Sequence, residues 1–248
     1  MVVLKTSGEL AKMRRAGEIS ARALQVGGEA VKPGITTGEI DRIIHRYILS
    51  QGAKPSFLGY GGFPGSACIS VNEEIIHGIP GKRVLKEGDI VSIDVGACID
   101  GYHGDNAATF ACGAISAEAQ ALMDATQQSL LAAIAIANPG ARLGDLGHAV
   151  QSYVEARGYG VVREYVGHGV GQKLHEEPEV PNYGRPGHGV RLVPGMVIAV
   201  EPMITQYSPA LHVLSNDWTV VTNDGGLAAH FEHTIAITDN GPVILTQP

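Results

Sequence analysis

Two stretches of this chain, offset by 106 positions, carry the same pattern, and no other feature constrains the fold as much. Residues 32–52 read KPGITTGEIDRIIHRYILSQG and residues 138–158 read NPGARLGDLGHAVQSYVEARG. They share Pro, two Gly, Tyr and a closing Gly, and Glu39 falls on Asp145. The match continues downstream. LKEGDIVSIDVG (85–96) aligns with LVPGMVIAVEPM (192–203), which sets Asp94 on Glu201. GDNAATFA (104–111) resembles HFEHTIAIT (230–238), which brings Asp105 near Glu232. One short match can arise by chance. Three in the same order, each setting an acid on an acid, define an internal duplication. The chain is therefore expected to form two similar halves, about 1–113 and 114–248, each helix-helix-sheet. Their sheets should join into one curved antiparallel platform backed by helices, an α+β arrangement.

Local signals agree. Thr6 with Glu9 makes a capping box, followed by Leu10, Met13, Ala16 and Ile19 at helical spacing. That helix should run to about residue 30 and stop at Lys32-Pro33-Gly34. A second helix is expected over 37–51, with Ile40, Ile43, Ile44 and Tyr47 inward. A Gly/Pro-rich loop with aromatics, PSFLGYGGFPGS (55–66), precedes a strand near 67–71. Helices are expected over 117–137 and 143–157. Residues 91–110, VSIDVGACIDGYHGDNAATF, read as a hairpin. Val91, Ile93 and Val95 alternate with Ser92, Asp94 and Gly96, and Asp100-Gly101 is a turn dipeptide. That turn sets position 94 opposite 107, with Asp105 its diagonal neighbour on the same face.

The duplication turns these acids into chemistry. Each half supplies two strand carboxylates, Asp94 and Asp105 from the first, Glu201 and Glu232 from the second. Glu201 ends the apolar run Val197-Ile198-Ala199-Val200. Buried acids need partners, yet no Lys or Arg lies within these strand segments. Four converging carboxylates cannot all stay ionised without cations between them, and two divalent ions suit the arithmetic. His168, set between glycines in EYVGHGVGQ, adds one imidazole. That donor mix favours manganese, iron, cobalt or zinc over calcium. His77 (EEIIHGIPG) and His175 (GQKLHEEP) stand in loops before the hairpin and before Glu201, as candidates to polarise a substrate carbonyl. His175-Glu176-Glu177-Pro178 is no HExxH motif, and the glycines at 59–65 lack the GK[ST] ending of a phosphate loop.

Bulk properties exclude other classes. The net charge of -7 and the lack of a Lys/Arg run argue against a nucleic-acid binder. No apolar run reaches the roughly 18 residues of a membrane span. MVVLKTSGEL lacks the apolar core of a signal peptide. Cys68, Cys98 and Cys112, without CxxC spacing, read as reduced thiols of a cytoplasmic protein.

The ordered set SIDVG, GYHGDNAATF, VGHGVGQKLHEEP, IAVEPM and FEHTIAIT, with VNEEIIHGIPG and GYGGFPGSACIS, resembles the bacterial type I methionine aminopeptidases across essentially the whole chain. The resemblance implies the pita-bread fold in a single catalytic domain, residues 1–248. It also implies removal of the initiator methionine from chains whose second residue is small. Asp94, Asp105, His168, Glu201 and Glu232 match that family's five ligands to two divalent metal ions (Co, Mn, Fe or Zn). Asp105 and Glu232 would bridge, His168 and Glu201 would complete one site, and Asp94 the other. His77 and His175 match its active-site histidines, and Glu201 its proton shuttle. Tyr60, Phe63, Cys68 and Trp218 match the methionine pocket, with two departures. Leu174 stands where an aromatic is frequent, and Phe63 where a tyrosine is common. Nascent polypeptide N-termini are the implied partners, with the ribosome surface as a transient one. Monomer is the default, since no oligomerisation signal is present. An X-Pro peptidase of the same fold would carry an N-terminal domain for which the first half leaves no room. A non-catalytic relative would have lost ligands.

Overall fold

The second helix of each half begins in the same way, and the reason is written in the duplicated motif. In a computed structural model, which describes residues 2–248, Glu39 accepts the Thr36 N–H at 2.8 Å at the start of helix α2 (Thr37–Ser50). Asp145 likewise accepts the Arg142 N–H at 2.7 Å at the start of helix α4 (Leu143–Glu155). The acid common to both repeats thus satisfies an orphan donor of a helix N-terminus. Gly34 and Gly140, with φ of 91° and 95°, turn the chain into these starts. Their N–H groups donate to Leu85 and Leu192 at 2.8 and 2.9 Å. Gly38 and Gly144 let each helix press against a loop. A Cβ there would lie 2.9 Å from the Gly81 oxygen or 2.4 Å from that of Arg185.

Helices α1 (Ser7–Glu29) and α3 (Ala117–Ala135) complete the two pairs. The capping box expected at Thr6 and Glu9 is present. All four helices lie where the periodicity sets them, within two residues at each end. The inward stripe of α2 differs by one position: Ile40, Ile44 and Ile48 are fully buried, whereas Ile43 and Tyr47 are only partly so. Three successive turns at i, i+4, i+8 make a straighter ridge than the expected set. One apolar core lies between α1, α2 and the first half's sheet, and a larger one between α3, α4 and the second half's strands.

The central hairpin pairs Ile90–Ile99 with Tyr102–Ala111, Asp94 opposite Ala107 and Gly96 opposite Asp105, in the expected register. Its counterpart pairs Val197–Val200 with His233–Thr238, so Glu201 and Glu232 stand just beyond the paired ends. Every pairing between the described strands is antiparallel.

The two halves meet along Tyr102–Ala111, where no continuous ladder forms; the strands fall into four hydrogen-bonded sheets, one of which pairs Glu74–Ile76 of the first half with Val220–Thr222 of the second. Along this strand, main-chain bonds cross from His103 N–H to the Gly171 carbonyl and from Glu232 N–H to the Ala107 carbonyl, each at 2.9 Å. Two threonine hydroxyls add to these bonds. Thr234 Oγ1 accepts the Asp105 N–H at 3.2 Å and donates to the Asp105 carbonyl at 2.7 Å. Thr109 Oγ1 does the same for His230, both at 3.0 Å. Each half thus clasps, with a buried hydroxyl, a residue of the other. The hydroxyls replace ladder bonds that the curvature of the seam breaks, so buried main-chain groups keep their partners. Among the described residues, no helix is long and apolar enough to cross a membrane.

Candidate metal centre

The seam places acid on acid. Asp94 and Asp105 come from the two arms of the hairpin, and Glu201 and Glu232 from the two strand ends of the other half. His168 comes from the short strand Gly167–Gly169, which pairs with Val197–Val200. All five line one cavity of about 240 Å³. Asp105, His168 and Glu232 each offer a ligand atom, and these atoms lie within 4.8 Å of one another. Glu201 Oε1 lies 3.5 Å from His168 Nε2, and Asp105 Oδ2 lies 3.8 Å from it.

Proton placement makes this arrangement costly without a cation. His168 donates its Nδ1–H to the Gly169 carbonyl at 2.9 Å, which leaves a lone pair on Nε2. With the carboxylates ionised, acceptor therefore faces acceptor across the gaps to Glu201 and Asp105. Asp94 Oδ1, Asp105 Oδ1 and Glu232 Oε1 are buried with no hydrogen-bond partner. Burial pushes the Asp94 carboxyl up to about 7. Asp105 and Glu232 are driven well above the ordinary carboxylate range by burial first and neighbouring acids second, as is Glu201 by burial and then Asp94. Burial, then the proximity of His175, presses His168 down to about 3, which keeps its lone pair free. Unpaired acid oxygens and a neutral imidazole lone pair, converging in a buried cavity, fit divalent cations. Asp94, Asp105, His168, Glu201 and Glu232 could hold them.

The remaining expected site residues line the same cavity. His77 follows the strand Glu74–Ile76 with φ of 58°, a left-handed conformation that costs energy outside glycine. It is held there by its neighbour Gly78, whose carbonyl accepts the Ile69 N–H at 2.9 Å and whose N–H donates to Ser70 Oγ at 3.0 Å. Its ring meets Tyr165 and Trp218 edge-on, at 5.7 and 6.3 Å between centroids. Burial presses it down to about 4, so it is neutral near pH 7. His175 stacks 4.1 Å from His168, and its Nδ1 is 2.8 Å from Tyr60 Oη. Phe63, Cys68 and Leu174 form, with Phe57, a small apolar cluster flanked by Trp218. Cys68 sits opposite Asp94 in the neighbouring strand, so the cluster abuts the acids. Tyr60 lines the cavity but is 47% exposed, at its rim rather than its floor.

Sequence reasoning missed Phe57, Ile76 and Tyr165 in the lining, and His230 behind it. Tyr165 lies three residues before His168 and His230 two before Glu232, so a tighter reading of those motifs could have flagged both.

An acid-rich cavity of this kind beside an apolar slot defines a metallohydrolase for small apolar groups, and the comparisons agree. Residues 11–239 match the profile of metallopeptidase family M24, and the chain belongs to that family. A methionine aminopeptidase of Clostridium acetobutylicum is 55% identical over 99% of each chain. The crystal structure of methionine aminopeptidase from Thermotoga maritima superposes with a TM-score of 0.99 at 46% identity, covering both chains entirely. Prolidase from Pyrococcus furiosus shares the fold at a TM-score of 0.79 and 26% identity, and this chain spans 66% of its length. Within the family, the chain groups with the methionine aminopeptidases.

Proposed function

We propose that this chain removes the N-terminal methionine from nascent proteins whose second residue is small, by metal-assisted peptide hydrolysis. The observation that carries the reading is the set of four converging acids, three of them with an unpartnered buried oxygen, and one imidazole lone pair against an apolar, sulfur-lined cluster. Asp94, Asp105, His168, Glu201 and Glu232 would hold two divalent ions, with Asp105 and Glu232 shared between them. Bound there, such ions supply Lewis-acid polarisation of a carbonyl and lower the pKa of water toward neutrality.

The chain's own groups do the rest. Phe63, Cys68 and Trp218 take the methionine side chain, whose polarisable sulfur suits aromatic edges. His175 Nδ1 is bonded to the Tyr60 hydroxyl; with the tyrosine as donor, the imidazole N–H falls on Nε2 and turns toward the scissile carbonyl. His77, neutral and rigidly held, is the second such donor. Glu201 carries a proton from the attacking water to the leaving amine through a carboxylate oxygen. Residues 1–248 act as one catalytic domain, a cytoplasmic monomer that meets nascent N-termini and, in passing, the ribosome surface.

The test is direct. Protein stripped with a chelator is offered Met-Ala-Ser and Ala-Pro-Ala while Mn(II), Fe(II), Co(II) and Zn(II) are titrated separately. Methionine should be released from the first peptide only, and only with metal. No turnover with any ion would refute the reading, and cleavage of the second peptide would redirect it to X-Pro chemistry.

A further inference from the structure

His230 is fully buried, at 1% exposure, yet its ring Nε2 has no hydrogen-bond partner. Its main chain is held on both sides. The Thr109 hydroxyl clasps both its N–H and its carbonyl, and Met203 pairs with it in register. The fold thus fixes the backbone from which an unsatisfied nitrogen points, and that nitrogen lies 3.7 Å from Glu201 Oε2.

Glu201 therefore stands between two imidazoles in unlike states. On the Oε1 side is the lone pair of His168 Nε2, at 3.5 Å, its proton committed on the far nitrogen. With Glu201 ionised, a cation reconciles that pair of acceptors. On the Oε2 side, nothing prevents His230 Nε2 from carrying its hydrogen, and a carboxylate oxygen is the nearest group it can serve. We propose that His230 is a positioning residue for Glu201. Its Nε2–H closes on Oε2 and leaves Oε1 turned toward His168 Nε2, where a cation would be held. The proposal rests on the metallopeptidase reading above. An imidazole suits the task because it brings a donor with no permanent charge; Lys or Arg there would compete with the ions for the same oxygens. Partners of this kind behind metal ligands orient the ligand and tune its affinity.

The test uses the full chain and Mn(II) alone as the probe. Mn(II) binding to chelator-treated protein is followed by the electron paramagnetic resonance of the free ion, for the parent, His230→Leu and His230→Gln. Loss of the donor in the Leu variant should weaken Mn(II) binding about 10- to 100-fold. It should also lower kcat on Met-Ala-Ser with little change in KM. The Gln variant, which keeps an N–H, should stay within about threefold of the parent. Parent-like Mn(II) affinity in a folded Leu variant overturns the proposal, as does a Gln variant as weak as the Leu one. Should the Leu variant fail to fold, 15N spectra of the Mg(II)- or Zn(II)-loaded parent decide it. A protonated, pyrrole-type His230 Nε2 supports the assignment, and a pyridine-type Nε2 refutes it. A parent that binds no Mn(II) at all overturns the underlying reading and the proposal with it, and that outcome is visible before any variant is made.

Discussion

Thr109→Val should cost this protein a large part of its stability, although valine has nearly the same shape. The Thr109 hydroxyl accepts the His230 N–H and donates to the His230 carbonyl, both at 3.0 Å, and its oxygen is 2.8 Å from Ser92 Oγ. Its one proton is spent on the carbonyl, so Ser92 is the donor in that third bond. Thr109 is 4% exposed and His230 1%, so water cannot step in for the lost hydroxyl. Ser92 can rotate toward another acceptor; the two main-chain groups of His230 cannot. Two stranded buried groups at about 1–3 kcal/mol each give a loss of roughly 2–6 kcal/mol. That is a large share of the ~5–15 kcal/mol typical of a folded domain. At about 2–4 °C per kcal/mol for a chain of this size, the melting temperature should fall by roughly 4–24 °C. Thermal unfolding followed by circular dichroism, at one scan rate for parent, Thr109→Val and Thr109→Ser, measures it. The serine variant keeps the hydroxyl and should recover most of the loss. A valine variant within about 2 °C of the parent would refute the clasp as a structural bond, and so would a serine variant as unstable as the valine one.

Two further outcomes follow from the site. Tyr60→Phe removes the 2.8 Å bond that sets the His175 tautomer. Because Tyr60 stands at the rim, where water can partly substitute, kcat on Met-Ala-Ser should fall only about 3- to 10-fold; KM and metal content should be nearly unchanged, and a change confined to KM would return Tyr60 to the pocket wall alone. The stabilisation conferred by Mn(II) should grow as pH rises from 5 to 8. Asp94 in the metal-free fold holds a proton up to about pH 7 that the unfolded chain releases near 3.8, so that contribution to stability is present at low pH and lost as pH rises through 7. Mn(II) must displace the proton below 7 and finds it gone above. Melting shifts with and without Mn(II) across that range test this, and a shift that shrinks toward pH 8 would contradict it.

Much of this architecture is legible in the sequence because it is local or repeated. The capping acids Glu9, Glu39 and Asp145 each act within three residues of themselves, so a helix start can be read from its own letters. The Asp100-Gly101 turn fixes the hairpin register through its own backbone geometry, which put Asp94 opposite Ala107 and left Asp105 on the same face. The duplication then carried each acid across to a partner more than 100 residues away, Glu201 and Glu232. Every site residue that these patterns and the family resemblance singled out lines the one cavity.

What only the tertiary structure decided lies at the seam. Nothing in the letters distinguishes a threonine that faces its own sheet from Thr109 or Thr234, whose hydroxyls take over main-chain bonds from residues 121 and 129 positions away. Nor does the sequence say which nitrogen of His168 holds its proton, since a carbonyl one residue on settles that through chain geometry. The orphaned nitrogen of His230 is invisible for the same reason. A side chain's partners across the seam depend on how two curved halves meet, and that is a property of packing rather than of any local pattern. The duplicated sequence by itself determined that four acids would converge. The closure of the two halves decided which of their oxygens are left without partners, and so where cations can bind.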